Sequence, residues 1–205
     1  MTRYSLTCRN NARTTGHFCV FQTPPRINPM PGRLFPTAWL VKAAAPGTSV
    51  TFAWTTDHGF AWWEEGSLAD GATFRAGQVW PAALNGHNAV DLHVDRDGVT
   101  SFANACGGGA PGWLTILQSG AVPPGRTWIG LAMAGSPVCA IQAGPNLKAM
   151  FKPDPACLVT FGRFAAGQII REEELPGHVL PVPFHGARRA ATVELGGDNI
   201  LVQTV

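Results

Sequence analysis

The residues best suited to acid–base chemistry lie close together between positions 57 and 64. Asp57 and Glu64 supply carboxylates, and His58 places an imidazole beside one of them. Nearby indole rings raise the pKa of a carboxyl group by removing it from water, and an aspartate can hold an adjacent histidine in one tautomer as a general base. If the chain is an enzyme, we expect Asp57, His58 and Glu64 to be its acid and base.

The same segment could form a binding surface, because tryptophan offers a large apolar area and stacking at a small cost in rotamer entropy. The predicted ligand-contacting residues are four tryptophans: Trp54, Trp62, Trp63 and Trp80. Successive strand residues point to opposite faces, so we expect Trp62 or Trp63 to face solvent, a partner or a ligand. The alternative interpretation is structural: the indoles fill the core, and the charged residues lie at strand ends in water.

A second polar pattern, Asp91-x-His93-x-Asp95, places three potential metal ligands on one face of a strand. Alternate side chains on a flat strand lie roughly 6–7 Å apart, so the strand alone cannot close the coordination shell of a metal. We interpret this face as solvated and predict no metal site.

Cys106 precedes three glycines, which could set a thiolate beside backbone donors as acyl transfer requires. The sequence identifies no base for it, and glycines between strands more simply form a loop. Phosphate-binding loops, Gly-x-Ser-x-Gly elbows, Cys-x-x-Cys pairs and His-Glu-x-x-His helices are absent from the sequence. We therefore predict no cofactor.

The composition indicates which elements position these residues. The 205-residue chain contains 24 Gly and 17 Pro, and 14% of its residues are charged. Many turn formers and few charged residues favour short strands joined by tight loops. We predict an all-β fold with little or no helix: a two-sheet antiparallel β-sandwich, jelly-roll-like, forming one domain over residues 1–205.

The charge pattern limits the expected partners. The formal net charge is +2, and Arg188-Arg189 is the only adjacent basic pair, so nucleic acid is not an expected partner. No apolar stretch reaches membrane-spanning length, so a membrane is not expected either. The first residues lack the apolar run of a secretory leader, which predicts a cytoplasmic location where cysteines stay reduced.

Local patterns predict individual strands. Residues 4–9 and 17–21 alternate around a polar loop, which predicts a hairpin with Cys8 opposite Cys19. Residues 49–56 form a strand with Phe52 and Trp54 on one face.

The clearest alternation lies at 90–94, where Asp91 and His93 point away from the core and a turn at 96–98 leads into a partner strand. Residues 191–195 and 200–204 form a closing hairpin. Residues 168–175 are the best helical candidate of the segment 168–190, although their lack of apolar periodicity is equally typical of an extended segment.

Several short motifs carry a family resemblance. They are VTFAWT at 50–55, FAW at 60–62, GQVWP at 77–81, IGLAMAG at 129–135, AIQAGPN at 140–146, FKPDP at 151–155 and TFG at 160–162. In content and order this series resembles the RhiA-like proteins, a rhizosphere-induced family of bacteria, over roughly residues 4–167. Two places depart from the pattern: His58-Gly59, where an aromatic and a small polar residue would be expected, and the glycines after Cys106.

The resemblance implies fold determinants more than chemistry. Its glycines suit tight backbone approaches, Asn146 suits a turn after Pro145, and its aromatic residues suit a core. The family name implies bacterial expression linked to population density, and the resemblance assigns no catalytic residue.

Three functions remain open at this point. The first is a binding protein whose tryptophan-lined cleft receives a small, partly apolar molecule or a sugar ring. The second is a cofactor-independent isomerase, cyclase or hydrolase of bacterial specialised metabolism that uses Asp57, His58 or Glu64. The third is a homo-oligomeric assembly subunit that associates through sheet edges.

Overall fold

A computed structural model describes residues 2–23, 25–28, 32–64, 73, 76–154, 156–171, 175, 178–184 and 187–204. The described chain is all-β and contains no helix, hence none long and apolar enough to cross a bilayer. Its strands are β1 Arg3–Asn10, β2 Gly16–Gln22, β3 Arg26–Asn28, β4 Phe35–Pro36, β5 Leu40–Ala44, β6 Ser49–Thr55, β7 His58–Glu64, β8 Gln78–Ala82, β9 Ala89–Val94, β10 Thr100–Cys106, β11 Leu114–Gln118, β12 Thr127–Met133, β13 Ser136–Pro137, β14 Cys139–Gln142, β15 Lys148–Lys152, β16 Cys157–Gly162, β17 Leu180–Val182, β18 Ala190–Leu195 and β19 Leu201–Thr204.

These strands form four sheets. Sheet I has the order β19-β18-β1-β6, sheet II β10-β9-β11-β15-β3, sheet III β4-β14-β12-β7-β8 with β13 beside β12, and sheet IV β17-β16-β2-β5. Nearly all pairs are antiparallel, as predicted, but β1 pairs with β18 and β9 with β11 in parallel. The predicted all-β sandwich class is confirmed, with these two parallel pairs as a difference.

The inner faces of all four sheets meet in one apolar cluster. Leu6 of sheet I, Phe18 of sheet IV, Leu92 of sheet II and Ile129 of sheet III all belong to it. On β6, alternation buries Phe52 and exposes its neighbours, as the sequence pattern predicts. Burial of this apolar surface is the main favourable contribution to folding.

A connecting segment covers the outer faces of sheets III and IV. Ile169 packs into a cluster with Trp63 and Trp128, whereas Ile170 packs into another with Phe21. Successive residues reach opposite sides because this segment is extended, and the Ile170 amide donates to the Pro36 carbonyl at 2.9 Å. Residues 168–171 are therefore not helical, and residues 172–174 of the helical candidate lie outside the described residues.

The predicted hairpin between the first two strands is wrong. β1 lies between β18 and β6, and β2 lies between β16 and β5 in another sheet, so Cys8 and Cys19 do not face each other. The fully buried Asn10 explains the difference: its Nδ2 donates to the carbonyls of Thr14 at 2.9 Å and Ala44 at 3.0 Å, and its Oδ1 accepts from the Ala12 amide. These bonds shape the connection as an arch that carries the chain to a second sheet.

Two other hairpins are confirmed. β9 and β10 pair around the turn that ends at Gly98, whose φ is +81°, a conformation that glycine adopts without steric cost. β18 and β19 pair around residues 196–200. In both, the chemical identity of the turn residues is a local signal, which is why the sequence predicts them correctly.

Candidate functional site

The three residues predicted as acid and base all lie in or beside β7, but at its two ends. Glu64 lies six positions after His58, which corresponds to about 20 Å along an extended strand. Asp57 adjoins His58. The structure therefore brings Asp57 and His58 together and leaves Glu64 apart from both.

Asp57 and His58 differ in environment. Asp57 is exposed, and its Oδ2 accepts a hydrogen bond from the Thr55 hydroxyl at 2.6 Å. Burial lowers the pKa of His58, and the nearby Asp57 carboxylate opposes that change only in part. The imidazole is thus held in its neutral form at neutral pH, which favours a packed histidine over a cationic one.

Glu64 lies at the opposite end of β7, where sheet III approaches sheet II. Its Oε1 accepts a hydrogen bond from the Thr100 hydroxyl of β10. Beside it, the Trp62 indole donates to Gln78 Oε1 at 2.9 Å, and the same oxygen accepts from the Phe102 amide at 3.1 Å. These bonds link β7 and β8 of sheet III to β10 of sheet II, directly through Glu64 and, for Trp62, through Gln78.

The four predicted ligand-contacting tryptophans lie in three different places. Trp54, 6% exposed, packs edge-on against Trp39 and Phe184 in the core. Trp63, 1% exposed, lies in the cluster on the outer face of sheet III, and Trp62 and Trp80 are half-buried on the inner side. Trp62 and Trp63 lie on opposite sides of sheet III, with Trp62 half-buried and Trp63 buried, and Trp63 lies apart from the other three indoles.

A cavity lies on the outer face of sheet II, and we call it the sheet II cleft. Its volume is about 500 Å³, and its polar and apolar lining includes Asp91, His93, Asn104, Leu117, Gln118 and Ser119. A volume of roughly 300–1,000 Å³ is typical of small-molecule sites. The cleft is therefore large enough for a metabolite-sized ligand.

Strand pairing positions the polar side chains of the cleft. On β9 the buried Val90 and Leu92 alternate with Asp91 and His93, which project outward. The parallel partner β11 sets Leu117 beside Asp91, and Leu117 is 40% exposed. The cleft thus combines a carboxylate, an imidazole and an exposed apolar side chain on adjacent strands.

A β-bulge in β10 shapes the side of the cleft that lies next to β9. The β9–β10 register shifts between Ala103 and Cys106, and Asn104 within the shift has a φ of +52°. Asparagine tolerates this left-handed conformation better than most residues, and bulges redirect side chains. Here the Asn104 amide donates to Asp91 Oδ2 at 2.8 Å, and Ser101 Oγ lies 3.3 Å from His93 Nε2.

Two polar groups of the cleft have no hydrogen-bond partner among the described residues. Gln118 is only 5% exposed; its Oε1 accepts from the Gly144 amide at 2.8 Å, but its Nε2 has no acceptor. The hydroxyl of Ser119 is also buried and unpartnered. Leaving such a group unpaired costs about 1–3 kcal/mol. Both atoms are buried, and Gln118 lies on the inward side of β11, so they lie behind the cleft and are not open to a ligand in it.

The Asp91-x-His93-x-Asp95 pattern does not assemble a metal centre here. Within the described ranges, no three His, Cys, Asp or Glu side chains come close enough together to hold a metal ion. Asp95 instead caps its own turn, where its Oδ1 accepts from the amides of Asp97 and Val99 at 2.9 Å.

Asp91 and His93 stand out in the sequence but are interpreted there as a solvated face, whereas Asn104, Leu117 and Gln118 are missed. Leu117 carries a detectable signal, since it is apolar at an outward position between inward Ile116 and Gln118. The position of Asn104 depends on the β-bulge in β10, and that of Gln118 depends on its hydrogen bond with Gly144 in a distant loop.

Comparison with known proteins places the chain in a family. The model of the RhiA family matches residues 1–204. The chain belongs to the RhiA family. Protein RhiA of Rhizobium leguminosarum bv. viciae is 30% identical over 164 residues, which cover 78% of this chain and 68% of that protein. No solved structure matches the chain.

The motifs that resemble the RhiA family act in the fold. Gly130 in β12 has no room for a side chain, because a Cβ there would overlap the carbonyl oxygen of Cys139 in β14. Asn146 has a φ of +54°, as a turn after Pro145 requires. None of the six lining residues named above lies in these motifs, so family membership and the cleft are independent observations.

Proposed function

We propose that this RhiA-family protein binds a small hydroxyl-rich molecule, such as a monosaccharide, in the sheet II cleft. The observation that carries the proposal is the convergence of polar groups with complementary roles around the exposed Leu117. We base the proposal on this cleft and not on the tryptophans, because Trp54 and Trp63 are buried inside the fold.

The chemistry of a sugar ring matches the cleft in two respects. Ring hydroxyls donate to carboxylate oxygens and accept from amide N–H groups, which Asp91 and Asn104 provide. The C–H face of the ring is apolar and suits contact with Leu117.

Nuclear magnetic resonance titration with D-glucose, D-galactose and D-mannose tests the proposal. We expect at least one of these sugars to shift backbone amide resonances of β9, β10 and β11. We expect Asp91→Asn to weaken that binding roughly tenfold, because a charge-assisted hydrogen bond is lost.

Asp57→Asn is the matched control, since Asp57 is also a carboxylate held by one neighbouring polar side chain. It should leave the titration unchanged. The proposal fails if none of the sugars shifts these strands, or if Asp57→Asn weakens binding and Asp91→Asn does not. The second result would indicate a binding site at Asp57, beside the start of β7.

A further inference from the structure

Three cations share the outer face of sheet II with the cleft. Lys148 and Lys152 alternate on β15 with the buried Ala149 and Phe151, and Arg26 lies on β3. All three cations are exposed, and none of them makes an ion pair or side-chain hydrogen bond within the described part of the chain.

The pairing of β15 with β3 brings two of these charges together. Arg26 and Lys152 are directly opposite each other in the antiparallel register. Like charges in this position repel each other and leave a local excess of positive charge. This end of sheet II is therefore electrostatically suited to a negative group.

The strand register connects the cations to the cleft. Leu117 of β11 is paired with Asp91 of β9 on one side and with Lys148 of β15 on the other. At a strand spacing of about 4.8 Å, the Cα atoms of Asp91 and Lys148 lie about 10 Å apart. One row of the sheet thus presents an acceptor, an apolar contact and a cation in that order.

We propose that the ligand of the sheet II cleft is an anionic sugar, a hydroxylated ring that carries one anionic group. Its hydroxyls donate to Asp91, its C–H face rests on Leu117, and its anion binds Lys148, with Arg26 and Lys152 adding to the positive field. Asp91 sets the orientation, because it attracts hydroxyl donors and repels the anionic end. This inference rests on the proposed function, and it adds the charge and direction of the ligand.

The cavity supports a ligand independently of the surface charges. Asp91, Asn104 and Leu117 line a volume of about 500 Å³ on the same face of sheet II. Exposed lysines alone would be explained by solubility, but a volume of roughly 300–1,000 Å³ beside them is typical of small-molecule sites.

Isothermal titration of the full chain with four probes tests the inference: D-glucuronate, its methyl ester, D-glucose and D-glucose 6-phosphate. We expect D-glucuronate to bind roughly tenfold more tightly than D-glucose, and the ester to bind like D-glucose, because only the charge is removed. Added salt should reduce the preference for the anion. D-glucose 6-phosphate distinguishes a carboxylate ligand from a phosphate ligand. Binding as tight as that of D-glucuronate supports recognition of the negative charge, and still tighter binding assigns a phosphate ligand.

Lys148→Gln should lower the affinity for D-glucuronate to about that for D-glucose, because the anionic group is the part of the ligand assigned to Lys148. Arg9→Gln is the matched control, because Arg9 is an exposed strand cation on sheet I. Equal affinities of the wild-type chain for D-glucuronate and D-glucose would overturn this inference and leave the proposed function standing. Absence of binding by all four probes would overturn this inference, and it would overturn the proposed function as well if D-galactose and D-mannose also fail to shift the resonances of β9, β10 and β11. A preference that survives Lys148→Gln would overturn the assignment of the anion to Lys148.

Discussion

At the scale of single residues, the five free cysteines differ in their access to solvent. Cys106 is exposed at the end of β10, whereas Cys8, Cys19, Cys139 and Cys157 are buried. Burial raises the pKa of each of these four thiols to about 12. Since the thiolate is the reactive form, the four buried thiols are protected both by burial and by their raised pKa, whereas Cys106 is accessible to solvent.

We predict that the native protein at pH 8 reacts rapidly with one equivalent of a disulfide reagent such as DTNB, and with five equivalents after unfolding in guanidinium. Cys106→Ser should remove the fast reaction and leave four slow thiols. Rapid reaction of a second thiol in the native protein would show that one of the four buried sites opens readily.

The candidate site shows which residues a sequence can reveal. Alternation along β9 predicts that Asp91 and His93 face outward, and the structure confirms that placement. Leu117 becomes part of the same site only through the parallel pairing of β11 with β9, and Asn104 only through a register shift. Such pairings depend on contacts between distant parts of the chain, and no local pattern specifies them.

At the scale of elements, β12 is the strand most sensitive to added volume, since all seven of its residues are buried. A Cβ at Gly130 would meet backbone of β14, which cannot rotate away as a side chain can. We predict that Gly130→Ala lowers the free energy of unfolding by about 3 kcal/mol or more, measured by urea denaturation.

Gly86→Ala is the control for that substitution. The nearest atom to a Cβ at Gly86 is a side-chain carbon of Ala83 at 3.8 Å, an ordinary contact. Its free energy of unfolding should stay within about 0.5 kcal/mol of the wild type. Equal stabilities of the two variants would contradict the assigned role of Gly130.

The elements also show where sequence patterns stop being sufficient. The strands β6, β9 and β18 follow from alternation and turn residues within a few positions of each strand. The partner of β1 does not, because the side chain of Asn10 forms an arch in place of a hairpin turn. A buried asparagine with three backbone partners cannot be distinguished in sequence from one in a polar loop.

At the scale of the whole molecule, the buried thiols make stability depend on alkaline pH. The pKa of each of Cys8, Cys19, Cys139 and Cys157 rises from 9.0 to about 12 on folding, so above pH 9 the unfolded chain releases protons that the folded chain retains. Their contribution to stability is complete below pH 9 and is lost as the pH rises towards 12, by up to about 1.4 kcal/mol per pH unit for each thiol.

Denaturant unfolding between pH 8 and pH 11 measures this loss. Because Cys139 is fully buried, Cys139→Ala should reduce the slope of unfolding free energy against pH by about a quarter, even though the variant is less stable throughout. An unchanged slope in that variant would mean that other groups cause the alkaline loss.

The remaining properties of the whole molecule are still predictions. These are the cytoplasmic location, the link to population density, the expected lack of nucleic-acid and membrane partners, and self-association through sheet edges. At one such edge, β19 presents Val202, which is 48% exposed.

The parallel pairing of β1 with β18 affects how the protein is made. As the chain leaves the ribosome, β1 can pair with β6 early, but its other edge stays open until the residues of β18, at 190–195, have been synthesised. An open strand edge is a template for pairing with neighbouring nascent chains. Slow translation before residue 190, or a shortage of chaperones that cover the nascent chain, will therefore reduce the yield of soluble protein without changing the stability of the finished fold.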